Sequence, residues 1–223
     1  MVKIVIFFKR KAGMPVEAFQ QHWRTVHAGI ITRLPGIRRY VQSHVLLTSY
    51  RTSEPAYDAV AESTFDDTQA MKSLVGTAAY AEVLADEPNF IDRSTMQSII
   101  TDEHVIKDHA APADGLKSIT LMTRKAGMPI DAFFTYWHDI HGPLCAGVPA
   151  MRRYVQNPTR RSIYDSGRTP AFDGAAMTWF DSLDALRAAA PTPGFARLRE
   201  DVEQFVAQDK SPSLLTQEHV IVA

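Results

Sequence analysis

The chain has a single cysteine, Cys145, among its 223 residues. One cysteine excludes an internal disulfide, and this scarcity fits a protein of the reducing cytoplasm. Neither sign of charge is in excess, because 24 basic side chains stand against 25 acidic ones for a net charge of −1. Such a balance gives no electrostatic footprint for nucleic acid or for an anionic membrane. We therefore expect a cytoplasmic protein that binds neither of them.

Long apolar runs and glycine-rich motifs are also scarce. The first apolar run, residues 4–8, has five residues, which is shorter than a signal-peptide core of about 7–15. No other segment approaches the roughly 20 residues of a membrane span. The sequence has no phosphate-binding glycine loop and no nucleophile elbow around a serine. Its hydrophobic content of 45% and charged content of 22% are those of an ordinary globular chain.

The sequence does contain a long internal repeat. Residues 10–42 align without a gap with residues 124–156, and 16 of these 33 positions are identical. Unrelated segments would match at only about two, because a common residue makes up roughly 5–8% of a chain. After a one-residue shift the match continues as far as 103–105 and 218–220. The sequence therefore predicts a first repeat over 1–108, a linker over 109–116 and a second repeat over 117–223.

Each repeat opens with a predicted strand, 3–10 and 117–124, rich in β-branched and aromatic residues. A helix is predicted next, because Pro15 and Pro129 stand where a first helical turn needs no amide donor. Apolar residues at spacings of 3, 4, 3 and 4 predict one stripe of this helix packed on a sheet. The stripe comprises Val16, Phe19, Trp23, Val26 and Ile30 in the first repeat, and Ile130, Phe133, Trp137, Ile140 and Leu144 in the second.

The remaining elements follow in the same order in both repeats. The pattern predicts second strands over 37–47 and 151–157, third strands over 58–65 and 173–180, second helices over 68–84 and 183–206, each interrupted, and last strands over 95–106 and 214–222. The order β-α-β-β-α-β, twice, predicts an α+β fold of two ferredoxin-like repeats, each an antiparallel sheet with helices on one face. We expect the uncovered faces to pack sheet to sheet as an intramolecular dimeric α+β barrel.

These motifs resemble a known family, the EthD domain. The resemblance rests on the Gly-Met-Pro helix start, the Trp followed four residues later by His, and the stretch Leu-Pro-Gly-Ile-Arg-Arg-Tyr-Val-Gln at 34–42. It implies membership of the dimeric α+β barrel superfamily. EthD proteins are associated with ether degradation and with the processing of polyketide-like or aromatic metabolites. Their relatives include cofactor-free cyclases, isomerases and monooxygenases, and also haem-binding barrels, but no cysteine-based attachment motif supports haem here. We expect no cofactor.

His27 and His141 are the candidate acid/base residues, because an imidazole exchanges a proton near neutral pH in either direction. Glu62 is the third catalytic candidate, since a carboxylate beside His27 would orient the ring or raise its pKa. The second repeat has Met177 in place of Glu62, so the first site is the more polar one. A degenerate second pocket around His141 is left open, and so is a purely structural role for both histidines.

Substrate-binding candidates come from the same alignment. One histidine recurs near the end of each last strand, one tyrosine alternates with Arg and Val along each second strand, and one lysine ends the first strand of the first repeat. The set is Lys9, Trp23, Tyr40, His104, Trp137, Tyr154 and His219.

Metal and thiol chemistry have weaker support. His138 and His141 share a helix face, but the first repeat has Arg24 at the matching position, so no metal is expected. Cys145 lies one turn after His141, yet its counterpart is Ile31, and a buried inert thiol is the favoured interpretation.

The leading functional hypothesis is a cofactor-independent lyase, isomerase or cyclase that uses histidine acid/base chemistry. Its partner would be a small hydrophobic or aromatic carbonyl compound of catabolism or secondary metabolism. The alternatives are a non-catalytic binding or accessory protein for a hydrophobic metabolite and a cofactor-free monooxygenase. The chain could act as a monomer with an internal pseudo-dimer or as a homodimer.

Overall fold

The computed structural model describes residues 1–110, 112 and 114–223, so positions 111 and 113 of the predicted linker lie outside the described residues. The chain divides into two compact units. Unit 1 comprises Met1–Thr101 and Glu218–Ala223, and unit 2 comprises Asp102–Gln217. No helix in the described part of the chain is long and apolar enough to cross a membrane.

Unit 1 is an antiparallel sheet with helices on one face. Its strands are β1 (Val2–Arg10), β2 (Ile37–Val45), β3 (Ala59–Phe65) and β4 (Ile91–Thr101), in the order β4-β1-β3-β2. Its helices are α1 (Val16–His22), α2 (Ala28–Ile31), α3 (Thr68–Lys72) and α4 (Ala78–Phe90). Phe8 and Ala61 of the sheet share a buried cluster with Phe19, Trp23 and Phe90 of the helices. That cluster is the core of the unit.

Unit 2 has the same architecture. Its strands are β5 (His104–Asp108), β6 (Leu116–Met122), β7 (Arg153–Pro158), β8 (Gly174–Phe180) and the first half of β9 (Ser213–Val222), in the order β9-β6-β8-β7-β5. Its helices are α5 (Ile130–Thr135), α6 (Gly142–Ala146), α7 (Arg161–Asp165), α8 (Leu183–Ala189) and α9 (Pro193–Phe205). Two ferredoxin-like repeats of an α+β fold are therefore confirmed.

The last strand of the first repeat differs from the prediction. The sequence predicts one strand over 95–106, whereas β4 begins at Ile91 and ends at Thr101, and β5 follows after two exposed residues. Strand β5 pairs antiparallel with β7, so it belongs to unit 2. The end of β9 belongs to unit 1, where it lies next to β2. The compact units thus do not coincide with the predicted repeat boundaries.

The first helix of each repeat contains a π turn, over Trp23–His27 and over Tyr136–His141. A π turn has more residues per turn than an α-helix, so the side chain three positions after a buried one rotates away from the core. The predicted apolar stripe is therefore wrong at Val26 and Ile140, which are 49% and 47% exposed. The histidine that follows each of them is buried instead. The π turn thus places both candidate histidines inside.

Candidate functional site

The tryptophan carbonyl that accepts the backbone hydrogen bond of each π turn also accepts a hydrogen bond from a glutamine. Gln42 Nε2 donates to the Trp23 carbonyl at 2.8 Å, and Gln156 Nε2 donates to the Trp137 carbonyl at 2.7 Å. Both glutamines are almost fully buried. One additional intramolecular hydrogen bond of this kind contributes about 0.5–1.5 kcal/mol. The glutamine of each second strand therefore stabilises the π turn that carries the histidine.

The indole at the start of each π turn bonds to a buried tyrosine. Trp23 Nε1 donates to the Tyr40 hydroxyl at 3.1 Å, and Trp137 Nε1 donates to the Tyr154 hydroxyl at 2.9 Å. Burial raises the pKa of Tyr40 to about 12 and that of Tyr154 well above its usual value. Both phenols therefore remain protonated near neutral pH.

An aspartate on α4 or α9 orients each histidine. The Nδ1 atom of His27 lies 2.9 Å from Asp86 Oδ2, and that of His141 lies 2.7 Å from Asp201 Oδ2. An ionised carboxylate can only accept, so Nδ1 carries the proton and Nε2 holds the lone pair. This is the base-ready tautomer of imidazole.

The environment of each pair keeps the imidazole neutral. Burial lowers the pKa of His27 and of His141 below the usual value, although the partner aspartate opposes that shift. For Asp86, burial acts to raise the pKa, but hydrogen bonds from His27, Asn89 and His22 leave it lowered overall. Asp86 is therefore ionised and both imidazoles are free bases at pH 7.

Cys145 completes the arrangement in unit 2. Its Sγ lies 3.2 Å from His141 Nε2, and it also hydrogen-bonds with the Tyr154 hydroxyl. Burial raises the pKa of the thiol to about 12, so the S–H group donates to the imidazole lone pair. The thiol is neutral and lies between a hydrogen-bond donor, Tyr154, and a base, His141.

In unit 2, Trp137, Tyr154, Gln156, His141, Asp201 and Cys145 form one hydrogen-bond network. A cavity of about 370 Å³ lies beside this network. Its volume falls within the range of about 300–1,000 Å³ that is typical of small-molecule sites. The wall contains His141, Cys145 and Tyr154, with apolar side chains such as Phe195 and Leu198 from α9. A partly open, largely apolar cavity bordered by a base and a phenol can hold a small organic molecule with one polar group facing His141 and Tyr154.

Bulkier side chains occupy the matching positions of unit 1. Four residues that line the cavity of unit 2 are small, flexible or polar, and their counterparts belong to the hydrophobic cluster of unit 1. The residue pairs are Thr120 and Ile6, Met122 and Phe8, Cys145 and Ile31, and Ser211 and Met96. This difference in side-chain volume explains why the space beside His141 is open.

Glu62 does not meet His27, so the expected pairing is corrected. Ala61 of β3 packs in the helix-side cluster, and the next residue of a strand faces the other way. Glu62 therefore lies on the opposite sheet face, where its carboxylate accepts from Lys3 Nζ at 3.1 Å. Asp86, and not Glu62, is the carboxylate beside His27.

The other predicted substrate-binding residues are divided between the network and separate places. Lys9 is held by Pro55 and Glu54 in a loop outside the network. His219 lies edge-on to His44, with ring centroids 4.7 Å apart, and His44 stacks on Trp23. Trp23 and Tyr40 bond to each other at the π turn that carries His27, and Trp137 and Tyr154 do so at the π turn that carries His141. The Tyr154 ring also contacts that of His141.

His104 contacts a second histidine near the surface of unit 2. Its ring lies 5.4 Å from that of His138, beside a pocket of about 170 Å³ that also contacts Trp137. His138 is exposed, whereas His141 is buried, so these two do not converge on one point. In the part of the chain that the structure describes, no three histidine, cysteine or acidic side chains are grouped to hold a metal ion.

Asp86 and Asp201 were missed by sequence reasoning, although a signal for them exists. The one-residue shift that aligns Asp58 with Asp173 also aligns Asp86 with Asp201. It likewise aligns Phe90 with Phe205, whose rings pack against the histidines at 4.8 and 5.1 Å. Extending the alignment through the second helix would have identified both residues.

Comparison with known proteins agrees with this architecture. No curated protein sequence matches the chain. A solved "putative monooxygenase" of Fusobacterium nucleatum has 11% identity and a TM-score of 0.65, covering 98% of this chain and 93% of its own. A solved anthrone oxidase-like protein has 11% identity and a TM-score of 0.66, covering 100% of this chain and 94% of its own. At such identities the likeness shows the fold alone.

The family follows from the domain match. The EthD domain matches twice in tandem, at residues 11–94 and 125–209. These two segments contain both π turns, both histidines and both aspartates described above. The chain therefore belongs to the EthD-domain family.

Proposed function

We propose that this protein is a cofactor-independent lyase, isomerase or cyclase, with its reaction site in the cavity of unit 2. The substrate class is a small hydrophobic or aromatic carbonyl compound of catabolism or secondary metabolism. One observation carries the proposal: the imidazole of His141, oriented by Asp201, borders a cavity of suitable size. The preference shifts from His27 to His141, because unit 1 fills the matching space with Ile6, Ile31 and other bulky side chains.

His141 acts as the base in this proposal. Asp201 accepts from Nδ1 and so keeps the lone pair on Nε2. Because the pKa of His141 is lowered by burial, the base form is present at neutral pH. It removes a proton from the carbon next to the substrate carbonyl, and the electron pair of that C–H bond moves into an enolate. Asp201 stabilises the imidazolium that forms.

Tyr154 acts as the hydrogen-bond donor to the developing oxyanion. Its oxygen already accepts from Trp137 Nε1 at 2.9 Å and from Gln156 Nε2 at 3.4 Å, so its own proton remains available for donation. Two donors aimed at one phenol oxygen also fix its position. A donor that is already fixed in position stabilises an enolate oxygen with little reorganisation. Return of the proton from His141 to another carbon completes an isomerisation.

Cys145 controls access to both groups. In the free protein its thiol bonds to His141 Nε2 and to Tyr154. A thiol forms weak hydrogen bonds, so rotation of this short side chain frees the base and the donor at small cost. The carbonyl oxygen of the substrate then accepts the hydrogen bond from Tyr154. The acidic C–H group beside that carbonyl lies against the lone pair of His141 Nε2.

The test uses 2-tetralone, a bicyclic aromatic ketone with acidic protons beside the carbonyl. Proton NMR in D₂O follows the loss of its α-proton signals with wild-type protein, with His141→Gln, and with His27→Gln as the matched control. Loss of a general base lowers the rate by about 10²–10⁴-fold. We expect that loss for His141→Gln and a wild-type rate for His27→Gln. An equal loss in both variants, or no exchange above buffer in the wild type, would contradict the proposal.

A binding or accessory role is distinguished by the same experiment. If 2-tetralone shifts the resonances of the cavity residues but no exchange occurs, the protein holds such a compound without turning it over. The His141→Gln variant would then weaken binding only by the loss of one hydrogen bond. A binding signal without turnover would therefore replace the catalytic proposal with the binding one.

A cofactor-free oxygenase is the second candidate, favoured by the names of two proteins with the same fold, a "putative monooxygenase" and an anthrone oxidase-like protein. The same base would remove a proton from anthrone, and the carbanion would react with O₂ to give anthraquinone and water. An oxygen electrode with anthrone as the probe tests this. Consumption of one O₂ per anthrone, lost in His141→Gln, would favour the oxygenase. Its absence would leave the isomerase proposal.

A further inference from the structure

An arginine at or just after the end of the first strand makes the same three hydrogen bonds in both units. Arg10 and Arg124 each bond through the backbone N–H and through Nη1 to one aspartate, and through Nε to a methionine carbonyl. A tyrosine hydroxyl, from Tyr50 or Tyr164, donates to the same aspartate. The two sites are built alike around Asp58 and Asp173.

The two sites differ in what contacts the Nη1 and Nη2 atoms of the arginine on the side away from the shared aspartate. In unit 1, Glu54 accepts from Arg10 Nη2 at 2.9 Å and from Nη1 at 3.1 Å, and Lys9 Nζ lies 3.3 Å from the same carboxylate. This is the bidentate geometry by which arginine recognises a carboxylate. Hydrogen bonds from Arg10 lower the pKa of Glu54 to about 2. The Nη1 and Nη2 atoms of this arginine thus form a site that favours an anion.

Unit 2 lacks that carboxylate. Glu54 follows Tyr50 by four residues, and the residue four after Tyr164 is Arg168. Within the described residues, the hydrogen bonds of Arg124 go to Asp173 and Met128, and Arg168 forms no ion pair. In unit 2, Asp173 therefore pairs with Arg124 while Arg168 has no carboxylate partner among the described residues, whereas in unit 1 Lys9 and Arg10 share Glu54 and Asp58.

Both arginines of unit 2 line one groove, with a volume of about 540 Å³. Apolar side chains form much of the remaining wall, including Met128, Pro170 and Phe172. None of the residues that line this groove lines the cavity beside His141. The groove is therefore separate from the cavity beside His141. Its arginines make it more positively charged than that cavity.

We propose that the groove of unit 2 binds a small organic carboxylate with an apolar body. The carboxylate takes the position at Arg124 that Glu54 holds at Arg10, and Arg168 provides the second cation. The body of the acid lies against Met128, Pro170 and Phe172. A bidentate pair of this kind combines charge with fixed geometry, so a carboxylate is preferred over a spherical or neutral group.

The experiment measures binding of 4-phenylbutyrate to the full chain by isothermal titration calorimetry, with 4-phenylbutyramide and sulfate as comparison ligands. We expect the carboxylate to bind at least tenfold more tightly than the amide or sulfate. Arg168→Glu restores the arrangement of unit 1, since the new side chain can bond to Arg124. We expect it to lower the affinity for 4-phenylbutyrate at least tenfold. Arg168→Gln should lower that affinity less.

The matched variant is Glu54→Arg in unit 1, which recreates the charges of unit 2 around Arg10. We expect it to add a second binding event for 4-phenylbutyrate, with Arg10 as the bidentate partner. Circular dichroism of each variant checks that the fold is kept. Equal binding of the amide or of sulfate, or unchanged binding in Arg168→Glu, would overturn the proposal. So would the absence of any heat with the wild-type protein.

Discussion

His44 should make the stability of the protein fall in mild acid. Its ring is 4% exposed, stacks on Trp23 at 4.5 Å, and lies edge-on to His219. Its Nε2 lies 3.1 Å from Gln42 Oε1, which can only accept, so that bond needs the proton on Nε2. Burial, together with the nearby charges of His219 and Arg24, lowers the pKa of His44 to about 3.

The direction and size of this change in the free energy of unfolding follow from proton linkage. An unfolded histidine has a pKa of about 6.5, so between pH 6.5 and 3 the unfolded chain binds a proton that the folded chain does not. The contribution of His44 to stability is therefore fully present above about pH 6.5 and is lost as the pH falls. Between pH 7 and pH 5 the unfolded state gains about 2 kcal/mol from this one group.

The assay is equilibrium unfolding in urea at pH 7 and pH 5, followed by circular dichroism. His44→Phe keeps a ring against Trp23 and removes the titrating group. For each protein, the free energy of unfolding at pH 5 is compared with its own value at pH 7, so any effect of the substitution at pH 7 cancels. The wild type should lose about 2 kcal/mol more than His44→Phe between the two pH values. His109→Phe, which replaces an exposed ring, should lose as much as the wild type. If the wild type and His44→Phe lose the same free energy, His44 is not held neutral and the reasoning fails.

Three further predictions concern unit 2. Asp201→Asn can donate to His141 Nδ1 and so moves the proton to Nε2, which should lower α-proton exchange of 2-tetralone by about 10²–10⁴-fold in a protein that still folds. Cys145→Ile, which places the unit 1 side chain in the cavity, should weaken 2-tetralone binding at least tenfold in an NMR titration, whereas Cys145→Ala should not slow exchange. Gly174→Ala should lower the free energy of unfolding by about 1–3 kcal/mol in urea, because the new Cβ would lie 2.6 Å from the Trp137 ring.

Much of the fold could be predicted from the sequence, because each step depends on local rules. The helix starts at Pro15 and Pro129, and the interruption at Gly76, all appear in the structure: α3 ends at Lys72 and α4 begins at Ala78. The division of the last strand between units could not be predicted, because the pairing of β5 with β7 depends on tertiary contacts. Alternation and turn signals describe a strand but do not name its partner.

The site was predicted in part. The histidines were identified from their recurrence, but the spacing of 3 and 4 placed Val26 and Ile140 on the core face. A π turn changes that phase, and local sequence patterns of apolar residues do not reveal it. Its support comes from Gln42 and Gln156, which lie on other strands. Geometry that depends on a distant donor is invisible to a periodicity argument.

The duplication itself needs a more careful interpretation than recurrence alone suggests. Both units keep the tryptophan, tyrosine, glutamine, histidine and aspartate of the network, yet the two cavity walls differ. A network that pairs the indole, the imidazole and a backbone carbonyl of a π turn has structural value in each unit, so recurrence of His27 and His141 is explained without catalysis. The residues that distinguish the proposed reaction site are those that differ between the units: Cys145 against Ile31, and Thr120 against Ile6. If exchanging Cys145 and Ile31 between the units moves ligand binding from unit 2 to unit 1, the wall and not the network decides where chemistry occurs.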